Sequence, residues 1–138
     1  EGRDLTLVTY GANVKIALEA SKILRSHQIH IEIIDVQTLI PFDTQKVICK
    51  SIMKTNSVLF FDEDVPGGAT AYMLQKVLEE QKAYLYLDAP PRTLAAKEHR
   101  SAYGDDGDYF SKPNCEDLLC LIYEMARERD VRKFRDIF

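Results

Sequence analysis

The chain contains no tryptophan, only three cysteines and three histidines, and no surplus of positive charge. Each shortage removes a class of function. Cys49, Cys115 and Cys120 form no CxxC pair and match no zinc spacing with His27, His30 and His99, so they read as buried thiols of a reducing compartment. Lys and Arg number 18 against 22 Asp and Glu, a formal charge of -4, which gives no pull toward nucleic acid or an anionic membrane. No uninterrupted apolar run approaches the roughly 18 residues of a membrane span, and the polar opening "EGRD" is not a signal peptide. A cytoplasmic location is expected, and a start without Met reads as a fragment.

What is present suits one globular domain: 138 residues, 46% of them hydrophobic, enough for a substantial core. "LTLVTY" (5–10) is β-branched, aromatic and closed by Gly11, the signature of a strand. From Asn13, a candidate N-cap, the residues Val14, Ala17, Leu18, Ser21 and Leu24 recur at helical spacing. "IHIEIIDV" (29–36) predicts a second strand, and beyond Pro41 the residue Asp43 is placed to cap a helix carrying Val47, Ile48, Ser51 and Ile52. "SVLFFD" (57–62) is almost wholly apolar, as a central strand covered on both faces would be. A helix follows over Ala69 to Glu80, then "AYLYLDAP" (83–90) predicts a fourth strand ended by the paired prolines. Residues 92–113 are irregular, and loops of that length are usually functional or interfacial. Asn114 opens a last helix with Leu118, Leu119, Ile122, Tyr123 and Met125 on its apolar side. Strands alternating with helices predict an α/β domain, a mainly parallel sheet between two helical layers.

Three constellations invite chemistry. Gly67 and Gly68 follow a strand and precede a helix, the position of a phosphate cradle. The residues before them are Asp62, Glu63 and Asp64, with no Lys or Arg, and neither GxGxxG nor GxxxxGK[ST] is present. Packing of the helix start against the strand is the simpler account, with a nucleotide-binding or small-molecule-binding domain as the alternative. "YGDDGDYF" (103–110) has the alternating aspartates of a calcium loop but not its ligand order, so a tight turn flanked by Tyr103, Tyr109 and Phe110 is expected, and exposed aromatics are typical of interfaces. His99 in "KEHR" would need an orienting carboxylate to act as a general base, and no GxSxG nucleophile motif exists. A hydrolase or transferase working through His99 or a cysteine is the remaining enzymatic alternative.

"GRDLTLVTYGANVKIALEASKIL" (2–24), "IEIIDVQTLIPFDTQKVICKSIMKTNSVLFFDED" (31–64) and "LDAPPRT" (87–93) together resemble the C-terminal domain of the transketolase superfamily. The version resembled is that of the β subunit, or fused α/β form, of the thiamine-diphosphate-dependent first component of 2-oxo acid dehydrogenase complexes, of pyruvate or branched-chain type. The likeness runs over nearly all of residues 1–138. It implies a three-layer α/β/α domain with a five-stranded mixed sheet, mostly parallel, one edge strand antiparallel. Asp62 stands where the family usually has Glu, and the irregular segment departs from ordinary β subunits toward the fused form. The resemblance implies thiamine diphosphate and magnesium in the parent enzyme, the metal on a GDG-to-N motif that "GDDGD" does not match, and hence no cofactor in this domain. It implies assembly as the role, in a homo-oligomer with other domains or subunits of the dehydrogenase and with the dihydrolipoyl acyltransferase core. Asp62, Glu63, Tyr103, Tyr109 and Phe110 are the expected interface residues, Arg92 the anchor of the loop, and Asp105, Asp106 and Asp108 the acids that would face a basic partner.

Overall fold

A computed structural model describes residues 1–100 and 103–134. Its sheet has four parallel strands in the order β2-β1-β3-β4: β1 (Leu5–Thr9), β2 (Ile31–Asp35), β3 (Val58–Phe61) and β4 (Arg92–Leu94). The helices are α1 (Asn13–Ser26), α2 (Val47–Thr55), α3 (Ala69–Leu74, continued by a π-helical turn Gln75–Glu80), the short α4 (Gly107–Ser111) and α5 (Cys115–Arg129). Side chains alternate across each strand, and the core divides accordingly. Leu5, Leu7, Leu59 and Phe61 meet Ala17, Leu24, Leu118 and Ile122 of α1 and α5. Val8, Val58 and Phe60 meet Ile48, Ile52, Met73 and Val77 of α2 and α3. The α/β/α sandwich is therefore as expected, with β3 internal. The antiparallel fifth strand is not found among the described residues.

Polar groups also lock one layer. Thr6 Oγ1 lies 2.7 Å from Ser51 Oγ and 2.6 Å from Thr55 Oγ1, and Glu32 on the neighbouring strand accepts from Ser51 at 2.5 Å and Lys54 at 2.6 Å. These bonds fix α2 over β1 and β2 in one register, since any slip would strand buried hydroxyls.

Three local expectations are corrected. "AYLY" (Ala83–Tyr86) is a 3-10 turn, not a strand; Tyr84 and Leu85 point to solvent, while Asn56 holds the segment through Tyr86 O and the Asp88 N–H. The fourth strand lies beyond the prolines, whose missing N–H groups suit the approach to a ladder but not its interior. Asn13 is not a cap: α1 is preceded by Ala12 with no side-chain cap bond, and Asn13 is buried in the first turn. Asp43 does bond the Val47 and Ile48 N–H groups, but from across a turn that brings Lys46 into the left-handed region. Asn114 forms a full capping box with Asp117.

Candidate interaction site

Asp62, at the carboxyl end of β3, is only 1% exposed. Its Oδ2 accepts from Tyr10 OH at 2.7 Å and its Oδ1 from the Glu63 N–H at 2.7 Å. Burial and the Asp62 carboxylate raise the Tyr10 phenol above its ordinary range, so the phenol stays a neutral donor. As a surface contact Asp62 is corrected: its carboxylate is spent inside the fold, and Glu63 beside it is the exposed acid.

The glycine loop closes on itself. Gly67 has φ +90, and a Cβ on Gly68 would run into the Asp64 carboxylate. The Gly68 N–H goes to Val65 O at 3.1 Å and the Val65 N–H to Asp64 Oδ1 at 2.8 Å. Two of the loop's N–H donors are thus engaged, and Glu63 and Asp64 beside them would repel a phosphate.

The irregular segment folds back on α5. Ser111 O accepts from the Lys97 N–H at 3.0 Å, and Lys97 Nζ sits 3.7 Å from the centroid of the Phe110 ring. Phe110 is nevertheless 57% exposed, Tyr109 61% and Tyr103 83%. Tyr109 OH donates to Glu116 at 3.0 Å, which raises its phenol, and the Arg100 guanidinium lies 5.1 Å from the Tyr103 ring. Lys112 reaches Glu63 at 3.8 Å and Asp108 at 3.7 Å, joining the end of β3 to this segment. Between the segment and α5 lies a cleft of about 740 Å³ whose walls include Leu94, Lys97, Tyr109, Phe110, Cys120 and Leu121.

Arg92 joins β4 to α5: it pairs with Glu124 at 3.4 Å and Glu128 at 3.5 Å. His99 is exposed, its Nδ1 2.8 Å from Arg100 O and its ring 5.6 Å from Phe110; among the described residues no carboxylate bonds to it. Of the cysteines only Cys49 is buried; Cys115 is half-buried, with burial raising its thiol, and Cys120 is exposed, so the expectation of three buried thiols fails. Among the described residues no cluster of three or more His, Cys, Asp or Glu could hold a metal ion. No helix among them is long and apolar enough to cross a membrane. Sequence reasoning missed Tyr10, Lys97 and Lys112. Each has a partner distant in the chain, Asp62 for Tyr10, Phe110 for Lys97 and Glu63 for Lys112, and the density of Lys and acid around 97–112 hinted only at the two lysines.

The domain is a parallel α/β sandwich with Asp62 buried at the carboxyl end of β3 and with Tyr109 and Phe110 exposed on α4. The chain belongs to the transketolase, C-terminal domain family, which it matches over residues 1–107. It is 30% identical over 127 residues to the mitochondrial pyruvate dehydrogenase E1 component subunit beta of Saccharomyces cerevisiae, covering 91% of this chain and 34% of that protein. The corresponding subunit of Rickettsia felis is 32% identical over 120 residues, covering 86% and 36%. The chain thus spans about a third of the length of these relatives. Among solved structures, a split-gene transketolase described as an inactive beta4 tetramer superposes with a TM-score of 0.70 at 22% identity, over 91% of this chain and 39% of that one. A 2-oxoglutarate:ferredoxin oxidoreductase from Magnetococcus marinus gives 0.61 at 13%, over 91% and 18%. At these identities the structural likeness concerns the fold.

Proposed function

We propose that this chain is the C-terminal assembly and docking domain of a thiamine-diphosphate-dependent 2-oxo acid dehydrogenase, the enzyme that decarboxylates a 2-oxo acid and reductively acylates a lipoyl group. The relatives' identity as E1 β subunits supports the parent. The single observation that carries the docking role is the trio of exposed aromatics, Tyr103, Tyr109 and Phe110, of which Tyr109 and Phe110 line the α5 cleft. Aromatic anchors are enriched among hot spots. The cofactor supplies the electron sink of the parent reaction, and residues outside this chain hold it.

The test is binding of the purified chain to the dihydrolipoyl acyltransferase core and to the remaining segments of the dehydrogenase. Tyr109→Ala with Phe110→Ala is expected to weaken one of these by about 2 kcal/mol or more, with the circular dichroism spectrum unchanged. Equal binding by the double variant, or decarboxylation of a 2-oxo acid by the chain alone, would refute the proposal. The nucleotide alternative predicts a melting shift on adding nucleotide; a closed glycine loop predicts none.

A further inference from the structure

β4 is an edge strand with one side in use. A strand turns the backbone groups of successive residues to opposite neighbours. On β4 and just beyond it the residues that serve the β3 side are Leu94, whose O accepts from the Asp62 N–H at 3.0 Å, and Ala96, whose N–H donates to Asp64 O at 2.8 Å. Thr93 and Ala95 therefore present their N–H and C=O groups outward, an open row of the kind that takes up another chain. The next residue on that side, Lys97, is already served: its N–H donates to Ser111 O at 3.0 Å. Among the described residues nothing bonds the outward groups of Thr93 and Ala95.

The open row borders the cleft of about 740 Å³. Leu94 and Ala95 line that cleft from the strand, Cys120 and Leu121 from α5, and Tyr109 and Phe110 from α4. A groove between a strand edge and a helix suits an extended peptide, since main-chain bonds along the strand hold it and the groove receives every second side chain. Charge sets what flanks such a segment. Asp105, Asp106 and Asp108 are exposed in and beside α4, so basic residues at its ends are attracted and acidic ones repelled.

We propose that β4 takes up a further strand from the docking partner. The occupant is an extended segment of the acyltransferase, apolar at alternate residues and flanked by Lys or Arg. Its backbone pairs with Thr93 and Ala95, its apolar side chains enter the cleft against Phe110 and Leu121, and its cations face Asp105, Asp106 and Asp108. The inference rests on the docking reading above and deepens it by giving the form in which the partner is recognised, a backbone ladder with the aromatics beside it.

Hydrogen exchange read by mass spectrometry, on the purified chain with and without the acyltransferase core, tests this on the unaltered protein. Amides over 92–96 are expected to exchange about tenfold or more slowly in the complex. Thr93→Pro removes an outward N–H at an edge position, where proline is tolerated, and should weaken binding about tenfold, as the loss of one or two hydrogen bonds does. Thr93→Val keeps that N–H and should bind like the parent, both variants melting near the parent's temperature. Unprotected amides over 92–96 in a complex that forms overturn the inference, as does a Thr93→Pro variant that binds like the parent. Equal weakening by Thr93→Val would put the contact on the side chain and overturn it too. If the parent chain does not bind the core, the docking reading falls and this inference falls with it. If Tyr109→Ala with Phe110→Ala loses binding while the core leaves 92–96 unprotected in the parent, docking stands and strand addition fails.

Discussion

At Asp62 the strand gives its last carboxylate to a phenol rather than to solvent. A strand that closes in an acid is easy to see in a sequence; which way the acid faces depends on Tyr10, 52 residues earlier, and no local pattern reports that. Tyr10→Phe would take the donor from Asp62 Oδ2 in a residue only 1% exposed, leaving the Glu63 N–H on the other oxygen. A loss of about 1 to 3 kcal/mol is expected, measurable from urea midpoints, and Asp62→Asn should lose less because the amide oxygen still accepts from Tyr10. Glu32 offers a pH test. Burial pushes its carboxyl up, but the bonds from Lys54 and Ser51 outweigh burial and leave it below its ordinary value. A depressed folded value adds stability that is complete above the unfolded value of about 4.3 and disappears as pH falls through the folded one. Glu32→Gln should therefore be less stable than the parent at neutral pH and approach it in acid. A stability gap that stays constant with pH would show that Glu32 is not the titrating group.

Elements were legible wherever one residue pattern decided them. β1, β3 and α5 needed only apolar runs or a cap, and Asn114 with Asp117 closes the capping box that its spacing announces. Asn114→Ala should cost about 1 kcal/mol, read as a lower melting temperature. The cap of α1 and the place of β4 were not legible in this way. Asn13 has the chemistry of a cap, yet Gly11 at φ +61 turns the chain so that Ala12 takes the capping position and Asn13 is buried. "AYLYL" has high β-propensity, but propensity in strands reflects fit to a half-buried pleat, and the edge position beside β3 is filled by Arg92–Leu94. Arg92 then reaches two glutamates of α5, partners that a strand ending at the prolines would not have supplied.

For the molecule as a whole, layering was readable from the alternation of strands and helices, because a sheet covered on both faces demands it. The surfaces were not, since exposure is decided by what packs nearby. The acids of the irregular segment show how charge should act at this scale. Asp105, Asp106 and Asp108 are all exposed beside Tyr103, Tyr109 and Phe110, and among the described residues Asp108 has a cationic neighbour, Lys112 at 3.7 Å. Exposed charges around apolar anchors steer encounter more than they hold the complex. If the docking partner is basic, as the proposed acyltransferase contact requires, changing all three to Asn should slow association by about tenfold at low salt and leave dissociation nearly unchanged. Raising ionic strength from about 0.02 M to about 0.5 M should slow the parent chain to the rate of the variant, because screening shortens the reach of the field to a few ångströms. Surface plasmon resonance on the immobilised acyltransferase core separates the two rates. An association rate indifferent to both salt and the triple substitution would mean that the aromatics find their partner without electrostatic guidance, and that the partner surface is not basic.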